Sequence, residues 1–176
     1  MKKSIFATIT LLSVITLAAC SSSKSETSKS SDVQTTKSGT TTTKTQVDNS
    51  KYDSVISEIK STLDPENSGK LAVEIENDVV DSEYPEGHNL IRVLIKGDSA
   101  ESAKKALEAT RSNSATTEQN NAITTLRLAI SDLAKKLPDD TTTIDLGYEK
   151  SADQYDLIAK SSKTKDIIPV GNLIAE

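Results

Sequence analysis

The chain has 176 residues, a formal net charge of −5 from 21 basic and 26 acidic residues, and one cysteine, one histidine, no tryptophan and a single phenylalanine. That balance argues against a surface that seeks nucleic-acid phosphate. The shortage of aromatic rings argues against stacking sites for single strands or sugars. One cysteine excludes an intrachain disulfide and a thiolate metal site, so no cofactor is expected.

Met1-Lys2-Lys3 forms a positive head, and Ile5 to Ala18 is apolar and uncharged, interrupted only by Thr8, Thr10, Ser13 and Thr16. The run suits a signal-peptide core and is short of the roughly 20 residues that a membrane-spanning helix needs. It closes on Leu17-Ala18-Ala19-Cys20. This arrangement resembles the lipobox of bacterial lipoproteins. The resemblance implies a signal peptide over 1–19, diacylglycerol on the Cys20 thiol, cleavage before Cys20, and a product held on the outer face of the cell membrane. Two acyl chains on one residue meet the physical requirement for stable anchoring, which a single chain does not. Without Lys2 and Lys3 the chain keeps 19 basic against 26 acidic residues, a balance of −7, so Cys20 alone is expected to contact the bilayer.

Residues 20–50 carry the lipidated cysteine and then a stretch more than half Ser and Thr, with Val33 and Val47 as its only aliphatic side chains. Too little apolar surface is present to offset chain entropy, so the stretch reads as a disordered tether. Thirty coil residues have an end-to-end span of about 30 Å and a limit near 100 Å. The Ser, Thr and Lys content is similar to the spacers of Gram-positive lipoproteins.

From Lys51 to Glu176 the composition is that of one domain. Tyr52, Val55, Ile56, Ile59 and Leu63 predict a helix over 51–63, capped by Ser50 with Asp53 and ended by Pro65. Leu71, Val73 and Ile75 alternate with Ala72, Glu74 and Glu76, and Ile91, Val93 and Ile95 repeat the pattern beside Arg92 and Lys96, predicting two antiparallel strands. Pro85 and Gly87 suit the second and fourth positions of a type I turn between them. A second helix is expected from Asp98, with Glu101 completing a capping box, to about Thr110. A third follows Thr116 and Gln119 and carries Ile123, Leu126, Ile130, Leu133 and Leu137 on one face until Pro138. Thr142, Ile144, Leu146 and Tyr148 predict a strand, Tyr155, Leu157 and Ala159 another, and Ile167, Ile168 and Val170 a short edge strand limited by Pro169. Runs of strands and helices predict an α+β fold: an antiparallel sheet of four to five strands with about three helices on one face, in the order α-β-β-α-α-β-β.

Catalytic signals are weak. His88, in an acidic turn, has no nucleophile motif nearby and reads as a solvated loop residue. Glu74, Glu76, Asp78, Asp81, Glu83 and Glu86 lack the ligand spacing of a calcium loop. Ser-x-x-Lys recurs at Ser21, Ser57, Ser102 and Ser162 without the companion elements of penicillin-binding enzymes. The expected function is therefore that of a non-catalytic, lipid-anchored module that binds a protein or peptide partner in the envelope. An envelope hydrolase acting through His88 is the first alternative. A signal segment, Leu11 to Ala19, that is trimmed to a peptide pheromone is the second.

Overall fold

The computed structural model describes residues 47–152 and 154–175. Leu17, Ala18, Ala19 and Cys20, and the tether as far as residue 46, lie outside them. The described chain forms a 3-10 turn at Ser50–Tyr52, α1 (Asp53–Leu63), β1 (Leu71–Val79), β2 (His88–Ile95), α2 (Gly97–Arg111), α3 (Thr117–Ala134), β3 (Thr143–Ser151) and β4 (Gln154–Ser162).

The fold is α+β, with three helices and one four-stranded sheet in the order β1-β2-β3-β4. β1–β2 and β3–β4 are antiparallel, but β2 and β3 run parallel, so the sheet is mixed rather than wholly antiparallel. The reason lies in the connection. β2 and β3 share a direction, so the chain between them must return along the sheet. α3 does this, with Ile123 beside Tyr148 near the end of β3, and Ile130 to Leu137 in the cluster that holds Ile144 near its start. Eighteen helical residues rise about 27 Å, which matches the length of an eight-residue strand. α2 packs on α3 and against the far end of β3.

Local signals explain several of the elements. The expected capping box opens α3: the Gln119 N–H donates to Thr116 Oγ1 at 3.3 Å and the Thr116 N–H donates to Gln119 Oε1 at 3.0 Å. The turn at Pro85 closes with the Gly87 N–H on the Tyr84 carbonyl at 3.0 Å, and Gly87 takes a φ of +91°. Two expected caps do not form. The Ser50 N–H binds Asp48 instead, and Ser50 enters the 3-10 turn. Gly97, at φ +60°, starts α2 directly after β2, which leaves Asp98 inside the first turn.

The helix-facing core joins Tyr52, Val55 and Ile59 to Ile91, Val93, Ile144 and Leu146 and to Ile130, Leu133 and Leu137 of the α3 region. The Tyr52 hydroxyl is a polar pin at one end: it pairs with Thr142 Oγ1 at 2.8 Å and accepts from Asn89 Nδ2 at 2.8 Å, tying the start of α1 to β2 and β3. Tyr155, Leu157 and Ala159 do not share one face. A register shift opposite Gly147 brings both Ile158 and Ala159 into the helix-side clusters. It also lays Tyr155 beneath the Arg92 guanidinium on the other side, 4.1 Å from the ring centre. Residues 167–170 form no strand. Asp166 bridges to Ser161, and the Ile167 and Ile168 N–H groups both donate to the Lys160 carbonyl.

Gly147 lies where the sheet leaves no room for a side chain, because a Cβ there would collide with the Asp156 carbonyl. Gly147→Ala is expected to cost about 1–3 kcal/mol in urea unfolding, and an unchanged midpoint would show that the bulge yields.

Candidate functional site

Two places on the domain gather functional side chains. The first is the sheet face away from the helices. β2 and β3 pair Arg92 with Asp145, and β4 sets Lys160 beside Asp145, so three charges cross the sheet in one row that Glu74 extends onto β1. The β1–β2 connection crosses this row. Its Asp81 binds the Lys160 ammonium, receives the Glu83 and Tyr84 N–H groups at 2.9 Å, and lies 3.2 Å from His88 Nε2. Tyr84 stacks on the imidazole with ring centres 4.5 Å apart, and Lys165 holds Glu83 at 2.9 Å.

His88 is thus the first residue of β2 and fully buried by its side chain, not a wet loop residue, because the connection folds back over it. The side chains of Asp145 and Lys160 are 5% and 11% exposed. Burial raises the Asp145 carboxyl, and the Lys160 charge 3.4 Å away opposes it only in part. Burial also works against the Asp81 charge, yet Lys160 and the two backbone donors hold that carboxyl at about 2. For Lys160, desolvation is outweighed by its two carboxylates, which raise it. His88 Nδ1, Thr143 Oγ1 and Asp145 Oδ1 are buried without a hydrogen-bond partner within the described residues.

The charged side chains of this face are engaged mainly with one another, as a polar lock. Asp81, the only carboxylate among the described residues that bonds to His88, is already engaged by Lys160 and two amides. No serine or cysteine side chain bonds to the imidazole among the described residues. Ser162, the hydroxyl of one Ser-x-x-Lys match, donates to the Lys165 carbonyl, and the Lys165 ammonium goes to Glu83. The acidic group disperses: Glu76 pairs with Arg92, Asp81 with Lys160 and Glu83 with Lys165. Among the described residues no three acidic or histidine side chains converge as a metal site. The sequence offered no signal for Asp145 or Lys160, since a charged residue in a strand has the same pattern whether its face is wet or covered.

The second place is a half-open hollow of about 650 Å³ on the helix side. Leu71, Ile95 and Leu146 form its floor, and Leu63, Ile123 and Leu126 line its sides. It exists because α2 turns Ala103 and Ala106 toward the gap, side chains too short to close it. Its mouth is polar, with Asp64, Ser68, Lys70, Asp98, Ser99 and Ser102. Asp64 is committed locally to the Ser68 N–H and hydroxyl and the Gly69 N–H. An apolar floor with a few polar groups at the rim, in this volume range, is the usual form of a preformed ligand site. The alanines of α2 were visible in the sequence as a thin apolar face; the space beside them was not.

No family model matches the chain, and no curated protein or solved structure matches it either.

The lock gives a two-sided test. Asp81→Asn should cost about 1–3 kcal/mol at pH 7, because it leaves Lys160 and the buried carboxylate poorly compensated. Asp145→Asn should equal or exceed the wild type at pH 7, and that advantage should fade as acid protonates Asp145 in the wild type. The Asp81 carboxyl is depressed from about 3.9 in the unfolded chain to about 2. Its contribution is therefore complete above pH 4 and is lost as the pH falls toward 2. Urea unfolding of both variants between pH 2 and 7 measures the two trends, and a reversed order at pH 7 would contradict them.

Proposed function

We propose that the protein is a membrane-anchored, extracytoplasmic lipoprotein whose folded domain is a non-catalytic binding module for a protein or peptide partner in the cell envelope. The observation that carries the binding role is the apolar hollow between α1 and α2. Burying an aliphatic side chain there gains roughly 1.5–3 kcal/mol, and the polar rim supplies hydrogen bonds that fix orientation. The anchoring part rests on the sequence of residues 1–20, with Cys20 as the acylated residue. The His88–Asp81 contact is what a hydrolase would require, but the engagement of Asp81 by Lys160 and two amides favours the binding reading.

Two experiments test the two parts. Cys20→Ser should leave the chain unprocessed and free of lipid, so that it no longer partitions into the detergent phase and keeps its first nineteen residues by mass. Ala103→Phe should fill the hollow. A partner recovered from membranes with the wild-type full chain should be lost with this variant, while circular dichroism stays the same. Equal recovery by both would remove the hollow from the function.

A further inference from the structure

The outer edge of β1 is unpaired: β1 ends the sheet, and no hydrogen bond among the described residues uses the backbone of Leu71–Glu76 on that side. Its two faces differ sharply in chemistry. On the helix side Leu71, Val73 and Ile75 are only half buried, as are Ile56 and Leu63 of α1 beside them. On the opposite side stand Glu74, which is exposed and in no ion pair among the described residues, and Glu76, which shares its charge with Arg92. An edge with a half-covered aliphatic row and acidic residues on the other face accepts a strand of matching alternation.

We infer that β1 receives an extended peptide segment as a fifth strand, with apolar side chains alternating with lysine or arginine. The inference rests on the reading of the domain as a binding module and adds the mode and chemistry of the partner. Backbone pairing along about six residues, roughly 20 Å, supplies the affinity. The alternation supplies the choice. Basic side chains meet Glu74 and Glu76 while apolar ones extend the row of Leu71, Val73 and Ile75. Leu71 and Leu63 also line the hollow, so an apolar side chain at that end of the segment reaches it. The same charges disfavour a second copy of this chain, because antiparallel β1–β1 pairing would bring glutamates of both copies onto one face at close range. The edge therefore excludes its own copy while remaining open to a basic strand.

The test titrates the full chain with two labelled peptides, Lys-Val-Lys-Val-Lys-Val-Lys and its counterpart with Glu in place of Lys, by fluorescence anisotropy at low salt. The expected result is saturable binding of the lysine peptide and at least roughly tenfold weaker binding of the glutamate peptide, as attraction at Glu74 and Glu76 in one case and repulsion in the other dictate. Glu74→Lys, at an exposed edge position, should narrow or reverse that preference, with circular dichroism checking that the variant keeps its fold although the new lysine faces Arg92. Amide exchange should slow along Leu71–Glu76 when the lysine peptide is bound. Absence of binding, equal binding of both peptides, or protection confined to other elements would each overturn the strand-addition proposal. So would dimerisation through β1 in sedimentation. If the lysine peptide fails while a membrane partner is still captured in an Ala103-dependent way, the binding module stands and only the edge proposal falls. If both fail, the binding reading falls too.

Discussion

The parallel pairing of β2 with β3 is the constraint from which the rest of the domain follows. A parallel neighbour requires the chain to travel the length of the sheet outside it, and the eighteen residues of α3 are long enough to do so in one pass. α3 lies over β4 and β3, α1 packs over β1, and α2 packs on α3 and against β3. α2 packs on α3 through Ala103, Ala106 and Leu107. The hollow is the consequence of a helix layer whose members are set by α3 rather than by each other.

Placing β2 and β3 in the centre also changes what their second faces experience. Leu90, Leu94, Thr143 and Asp145 are buried there although no helix among the described residues covers them. The β1–β2 connection supplies part of the cover and brings Asp81 across to Lys160. A charge in such a place is tolerable only when paired, and the chain meets this with alternating signs: Arg92, Asp145, Lys160 and Asp81. The arrangement fixes the connection in one position. It leaves three buried polar atoms without protein partners, and its cost is concentrated on Asp145, whose carboxyl is pushed toward the neutral form.

The polar lock and the apolar hollow therefore lie on opposite faces of one sheet and answer different needs. The first holds a loop against a strand that would otherwise have an open face. The second is space that the core does not need for itself. The proposed binding surfaces, the hollow and the edge of β1, use none of the lock's buried charges, Asp81, Asp145 and Lys160.

Much of this was legible in the residues. The three-and-four spacing of Ile123, Leu126, Ile130 and Leu133, the Thr116–Gln119 box and the Pro85–Gly87 turn are local signals whose physics is complete within a few residues, and the elements form where those signals lie. The caps expected at Ser50 and Asp98 do not form because the helical turns begin earlier than the local pattern suggests: Ser50 lies within the 3-10 turn, and α2 starts at the left-handed Gly97. Strand direction, the bulge opposite Gly147, the burial of His88 and the convergence of Asp81 with Lys160 depend on residues up to 79 positions apart. No window of sequence contains them together. The alternation of charge and aliphatic side chain in β3 is the same whether its polar face meets water or a folded-back loop, and only the packing of the whole chain decides which.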